Sequence, residues 1–410
     1  MLTFHMILAG HAGRLPVHAL SLSRASARSI SALHTPMMSV SEGGRMLRES
    51  ASSPPPRPPW SRRAAIAGGV MSPACLLSSP AAPVHAATAD TFLLGKGPKA
   101  LEVSPMGVGA WSWGDEDTWG FGSSKGATEQ SIQAAYKECL ENGITLIDTA
   151  EIYGKGTSEM ILGKLLQATP PPLREKVKIA TKFYPDDPLT SLPRTAKDLL
   201  PALDASLSRL QMSSVDLYQI HGPGVQSSGT EIGQALAEAV KSGRCKAVGV
   251  SNYALEEMMP VYAALQKEGI PLASNQVEFS LLRQLPKQSG LLSACRELGV
   301  GILAYSPLGM GRLTGKYDSK KNKAPSGRFF GRVPAGTLDP LVAKMREIGS
   351  RHGNKTPAQV ALNWLICNGA VPIPGAKNLV QAKDNAGALG WRLTSDEVEE
   401  LARLHTCMLT

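Results

Sequence analysis

An α/β fold, a closed (β/α)8 (TIM) barrel with an N-terminal β-hairpin and a long loop after the seventh strand, is what the sequence predicts. Three observations carry this expectation. Between residues 107 and 390, short β-branched apolar runs alternate with amphipathic helical windows, the pattern of parallel strands joined by helices. The runs number eight in one uninterrupted series, which suits a closed barrel better than an open doubly wound sheet. No internal repeat longer than this βα rhythm is visible.

Taken in order, Thr91 to Ser104 (TFLLGKGPKALEVS) reads as a two-strand hairpin around Gly95-Lys96-Gly97, placed to plug the bottom of the barrel. Its Gly-x-Gly is not a dinucleotide fingerprint, because no βαβ unit follows directly. The strand cores are GVGAW, TLIDTA, KIATKF, DLYQIH, KAVGVS, SNQVEF, GILAYS and AVPIPG. After the first, Ile132, Ala135, Tyr136, Cys139 and Leu140 share one helical face, and Asn142-Gly143 forms a helix stop. After the third, Leu200, Leu203, Leu207 and Leu210 do the same. The stretch from Gly309 to Leu338 is rich in Gly, Lys and Arg without a regular period, and so long a loop in a compact domain is usually functional.

Residues 1–86 are read as a leader and residues 87–410 as the barrel domain. The leader holds eight Arg and no Lys against only Glu42 and Glu49, so six of the nine net positive charges sit there. It also holds fourteen Ser and ten of the thirty Pro, with no apolar period that could bury a core. Arg-rich, Ser-rich and acid-poor is transit-peptide composition, and a chloroplast address is expected. Arg62-Arg63, the apolar run Ala64 to Leu77 and the small-x-small Val84-His85-Ala86 resemble a bipartite thylakoid signal, which leaves stroma, thylakoid surface and lumen open. That run, at fourteen residues, is too short to span a bilayer.

With so small an excess of charge left on the body, nothing favours a nucleic-acid partner. No stretch of eighteen apolar residues follows the leader, so an integral membrane protein is not expected. The six cysteines (Cys75, Cys139, Cys245, Cys295, Cys367 and Cys407) lie far apart with no C-x-x-C, implying neither a disulfide framework nor a metal site. A monomer or weak oligomer is expected.

In a (β/α)8 barrel the chemistry lies where strands end and βα loops begin. The second strand ends in Asp148, with Tyr153 five residues on; the third ends in Lys182 and the fourth in His221. This set suggests proton transfer through a tuned phenol. A Tyr with a pKa of about 10 is a poor acid at neutral pH. A neighbouring ammonium is expected to lower that value, and a carboxylate behind the Lys to keep it charged. Each residue has a structural alternative: Asp148 and Lys182 as an ion pair, Tyr153 as a loop aromatic, His221 as a satisfied core histidine.

The segments LIDTAEIYG, ATKF, QIHGPG, KAVGVSNY, SNQVEFS, AYSPLGMGRLTGKY and IPGAKN resemble the aldo-keto reductases, in order, from about Leu94 to Leu404. The likeness is greatest to the plant and algal plastid branch, with potassium-channel β-subunits and pyridoxal reductases further off. It implies an NADPH (NADP+) oxidoreductase that reduces aldehyde or ketone carbonyls of small molecules to alcohols. Asp148, Tyr153, Lys182 and His221 would be the catalytic tetrad, with Tyr153 as general acid. Ser251, Asn252 and Gln276 would meet the nicotinamide carboxamide, and Tyr305 would stack on the ring. Ser306, Pro307, Leu308, Gly311, Leu313 and Gly315 would wrap the pyrophosphate. Gly375, Ala376, Lys377, Gln381 and Asn385 would meet the adenosine end.

Two departures from the family pattern stand out. Many members carry an Arg at the position of Gln381, so Lys377, aided by Lys316 or Arg312, would have to hold the 2′-phosphate, and discrimination against NADH would weaken. Gly222 replaces a frequent bulky aromatic after the His and would widen the pocket, whose walls would include Trp111 and Trp113. Among rival readings, a Ser hydrolase fails because Tyr253 stands where a nucleophile elbow needs Gly. No Walker motif is present, and a Schiff-base aldolase at Lys182 leaves Tyr305, Gln276 and the loop unexplained. The remaining alternative is a regulatory subunit that senses redox state through NADP(H) with little turnover.

Overall fold

The computed structural model of the protein describes residues 91–124, 126–188, 190–317 and 336–409. The leader, with Arg62-Arg63 and Cys75, lies outside the described residues, as do residues 318–335 of the long loop.

Strands β1 (Phe92–Leu94) and β2 (Leu101–Val103) form the expected antiparallel hairpin, Phe92 opposite Val103 and Leu94 opposite Leu101. Gly95 and Gly97 turn the chain at φ 90° and 75°, where a side chain would be strained. Eight strands follow: β3 (Gly107–Gly109), β4 (Leu146–Asp148), β5 (Lys178–Phe183), β6 (Val215–Ile220), β7 (Cys245–Ser251), β8 (Leu272–Glu278), β9 (Gly301–Tyr305) and β10 (Ala370–Pro372). Each lies parallel to the next in chain order. The ring closes just past the end of β10, where Gly109 bridges Gly375 and its N–H donates to the Pro374 carbonyl at 3.0 Å. This closure needs glycine: a Cβ on Gly109 would sit 3.0 Å from the Ile373 carbonyl, and one on Gly107 2.9 Å from that of Leu146. The barrel expectation is met.

The hairpin is the plug. Leu94, Leu101 and Val103 cluster with Leu146, Ala180, Leu217, Ala247 and Leu303 of the barrel interior, all buried. Gly301, which opens β9, leaves the room that the Leu94 side chain occupies. Outside the ring lie helices that bury one face each against the sheet. Helix Glu129–Glu141 buries Ile132, Ala135, Tyr136, Cys139 and Leu140, as the sequence predicts, and stops at Asn142 and a left-handed Gly143. In helix Leu199–Leu210 the buried face starts one residue earlier than expected: Leu199 is fully buried and Leu200 only half-buried. A spacing of four leucines admits either start, and packing decides. Helices Asp339–Arg351 and Ser395–Leu409 are additions to the eightfold scheme. Among the described residues no helix is long and apolar enough to cross a membrane, and Cys139, Cys245, Cys295 and Cys367 are unbridged.

Candidate active site

The site is a polar layer standing on the apolar floor of the barrel. Side chains two apart on a strand share a face. Moving up two residues from Leu146, Ala180 and Leu217 therefore reaches Asp148, Lys182 and Gln219, and from Ala247 reaches Gly249. Gly249 carries no side chain because one would collide with the Ser274 hydroxyl and crowd Gln219. Three strand ends thus deliver a carboxylate, an ammonium and an amide to one small space, all essentially unexposed.

The Lys182 ammonium donates to Asp148 Oδ2 at 2.5 Å, to the Thr149 carbonyl at 2.8 Å and to Tyr153 Oη at 3.4 Å. An ammonium has three protons and no acceptor, so the phenol oxygen must be the acceptor here. The Tyr153 proton is then directed elsewhere. Asp148 Oδ1 receives Gln276 Nε2 at 2.8 Å and, more weakly, Gln219 Nε2 at 3.4 Å, while Gln219 Oε1 accepts from the Ser274 hydroxyl at 3.2 Å. Sequence reasoning missed Gln219; the signal was its place two residues before His221, on the inward parity of Leu217.

Electrostatically, one expectation is reversed. Burial raises the Tyr153 phenol well above its ordinary value, and Asp148 adds to the rise. The expected lowering by Lys182 fails because its charge is matched by Asp148 at 2.5 Å, leaving a nearly neutral pair beside the phenol. Burial also lowers the Lys182 pKa against the pull of Asp148. His221 is held well below its ordinary value, first by burial and then by the Lys182 charge, so its imidazole is neutral at neutral pH. Among the described residues its buried Nδ1 has no hydrogen-bond partner, so His221 is not a satisfied core histidine.

Aromatic rings surround these four side chains. The His221 ring meets Tyr153 and Tyr184 edge-on, each with centroids 5.6 Å apart. Trp111 stacks on Tyr153 at 6.1 Å and donates its indole N–H to Asp115 at 3.0 Å, a placement that suits the pocket wall expected. Trp113 is not one: it is fully buried, packs edge-on to Tyr136 and donates to the Ala376 carbonyl. Its side chain turns into the packing against the buried face of helix Glu129–Glu141. A Cβ on Gly222 would meet nothing within 4 Å, in keeping with the open pocket expected there.

The residues expected to hold a nicotinamide cluster around this layer. Ser251 donates to the Gln276 carbonyl at 2.8 Å; Asn252, left-handed at φ 61°, donates to the His221 carbonyl at 3.2 Å and accepts from the Tyr305 hydroxyl at 2.9 Å. Gln276 differs from expectation in one respect, since its amide N–H serves Asp148. Beyond β9, Ser306, Gly309, Met310 and Gly311 all have positive φ, a backbone cradle that begins beside Pro307 and Leu308. Leu313 anchors this loop, its side chain fully buried and its N–H given to the Leu308 carbonyl, and Gly315 turns the chain onto Arg346. Arg312 is buried with Nη1 unpaired among the described residues, a cation without a counter-charge beside the cradle. That is what a bound diphosphate would satisfy.

At the far end, Gly375 accepts from Asn385 at 3.3 Å, and Ala376 is buried. Gln381 turns its oxygen onto the Lys377 N–H at 2.9 Å, and the Lys377 ammonium lies 4.3 Å over the Trp119 ring. Among the described residues no group of side chains could hold a metal ion.

Residues 105–405 match the Aldo/keto reductase family profile. The chain is 40% identical over 313 residues to a chloroplastic pyridoxal reductase of Arabidopsis thaliana, covering 73% of this chain and 83% of that one. The motifs alone place pyridoxal reductases further off than this. An NADP(+) aldo-keto reductase of Schizosaccharomyces pombe is 32% identical over 290 residues, 67% of this chain and 82% of the other. Among solved structures, an aldo/keto reductase of Klebsiella pneumoniae in complex with NADP and acetate superposes with a TM-score of 0.59 at 26% identity, over 78% of this chain and 96% of that one.

Proposed function

Since the chain belongs to the aldo/keto reductase family, we propose that Asp148, Tyr153, Lys182 and His221 are its catalytic tetrad, with Tyr153 the proton donor. The protein is an NADP-dependent oxidoreductase that reduces aldehyde or ketone carbonyls. A regulatory role with little turnover is not favoured, because the two relatives from Arabidopsis thaliana and Schizosaccharomyces pombe are reductases by name. The observation that carries the assignment is the allocation of the three Lys182 protons, which leaves the Tyr153 proton pointing away from the lysine and available to the pocket.

When bound, NADPH supplies a hydride to the carbonyl carbon. Tyr153 gives its proton to the carbonyl oxygen as charge develops there, and the Lys182 hydrogen bond to Oη stabilises the phenolate that results. A phenol raised above its ordinary pKa is fully protonated before reaction, which suits a donor. Neutral His221 orients the carbonyl oxygen from the opposite side of the pocket. Ser251, Asn252, Gln276 and Tyr305 would hold the nicotinamide; Ser306, Pro307, Leu308, Gly311, Leu313 and Gly315, with Arg312, the diphosphate; and Gly375, Ala376, Lys377, Gln381 and Asn385 the adenosine end. Arg312, whose Nη1 is unpaired among the described residues, supports this reading.

For the substrate, the Trp111, Tyr153 and Tyr184 rings and the open space at Gly222 favour a planar aromatic aldehyde, and the plastid relative is by name a pyridoxal reductase. Residues 1–86 would be the transit sequence of a plastid enzyme, with stroma the simplest destination. NADPH loss at 340 nm with pyridoxal, aromatic and aliphatic aldehydes, repeated with NADH, tests the whole reading. Turnover should be fastest with aromatic aldehydes and fall by about 10²-fold or more in Tyr153→Phe. Equal rates for wild type and variant on every aldehyde would sink it.

A further inference from the structure

Glu151 and Arg194 form a buried ion pair that the tetrad does not use. Their side chains are 7% and 11% exposed and meet at 2.8 Å. Glu151 lies two residues before Tyr153, and its Oε1 also accepts the Tyr184 N–H at 2.7 Å. Arg194 closes the other side: Nη1 donates to the Tyr184 carbonyl at 3.2 Å and the guanidinium lies 4.0 Å over the Phe183 ring. Its backbone is tied as well, with its N–H on the Pro185 carbonyl and its own carbonyl accepting from Gln226, both at 2.8 Å. The loop between is pinched where Asp186 bridges Pro193.

Three βα loops therefore meet at one ion pair: the turn that carries Tyr153, the loop after β5 that carries Tyr184, and the loop after β6 that begins at His221. Tyr184 is the mechanical link, since both its backbone polar groups are bound by the pair while its ring abuts the His221 imidazole. A buried ion pair adds little stability over well-packed apolar side chains of the same size, so stability alone is a weak reason for this one. Directional bonds at both ends of one residue are what a positioning device requires.

We propose that the Glu151–Arg194 pair is a positioning device that seats Tyr184 against His221 and so fixes the imidazole plane and one wall of the carbonyl pocket. This rests on the tetrad assignment above. Neither residue touches substrate or cofactor; both act through Tyr184.

A double-mutant cycle on the full chain tests this. Arg194→Met should lower kcat/KM for an aromatic aldehyde by about ten- to a hundred-fold, with NADP+ affinity in a fluorescence titration changed less than about two-fold. Tyr184→Leu should have a similar effect. If Arg194 works through Tyr184, the double variant is no worse than the more impaired single variant. Arg194→Lys, which keeps the charge but loses the forked geometry, should recover only part of the activity. Additive losses, or an unchanged kcat/KM in Arg194→Met, overturn the proposal.

If Arg194→Met does not fold, Tyr184→Leu decides alone, and full activity in it overturns the proposal. The imidazole proton resonances of His221, flanked by two aromatic edges, give a readout independent of turnover. They should shift alike in Arg194→Met and Tyr184→Leu even if no aldehyde is reduced, so failure of this proposal and failure of the reductase reading are told apart. Unmoved resonances in Arg194→Met would overturn the positioning role.

Discussion

Lys182 is where the residue scale decides between structure and chemistry. Removing it by Lys182→Met leaves the buried Asp148 carboxylate unpaired, at a cost of about 3–5 kcal/mol. It also removes the donor to Tyr153. The two effects separate in the pair Asp148→Asn, Lys182→Met, which no longer buries a lone charge. We expect the double variant to regain much of the thermal midpoint lost in Lys182→Met while turnover stays absent and NADPH binding persists. Recovery of turnover with stability would make the pair a structural bridge. His221 supplies the pH dependence. Its folded pKa lies well below the unfolded value of about 6.5, so above that pH both states are neutral and nothing is lost. As the pH falls further, the unfolded chain takes up a proton that the folded chain refuses, and stability declines until the folded value is passed. The thermal midpoints of wild type and His221→Asn should thus converge between about pH 7 and pH 5; parallel curves would count against a neutral buried imidazole.

At the scale of elements, the proposed proton donor stands at a turn of left-handed residues. Tyr153 is followed by Gly154, Lys155 and Gly156, all left-handed, at φ 55°, 55° and 92°. A Cβ on Gly154 would run into the Gly114 carbonyl, a backbone atom that cannot swing aside. Gly154→Ala should therefore push the Tyr153 turn away from the loop that carries Trp111. We expect a loss of about 1–3 kcal/mol in a denaturant titration and a larger proportional loss in kcat/KM. Gly222→Ala is the matched control, because its Cβ meets open space, and its unfolding midpoint should not move. Equal stability of the two variants would show that the Gly154 contact carries no strain. The strands and helices themselves were legible from period alone. The start of the leucine face at Leu199 was not, because adjacent Leu199 and Leu200 compete for one packing site; nor was the burial of Trp113 away from the pocket, because Trp111 and Trp113 are alike in type and only packing separates them.

Across the whole molecule, the hairpin closes the end of the barrel away from the proposed tetrad, and its contribution should be to stability alone. Leu94 is fully buried against the barrel interior. Leu94→Ala should cost about 2–5 kcal/mol and lower the thermal midpoint, with kcat at 25 °C unchanged. A fall in kcat would mean that the plug is coupled to the polar layer above it. By itself, the sequence determined the eight βα units and the hairpin, and named the four residues proposed as the tetrad, because strand period, turn residues and strand ends are local properties of the chain. Only the tertiary structure decided that Gln219 and Gln276 hold Asp148, that the Tyr153 pKa rises, and that Glu151 and Arg194 join three loops. Those outcomes depend on which polar atoms meet across the barrel, between residues up to 128 positions apart, and on how little water reaches them.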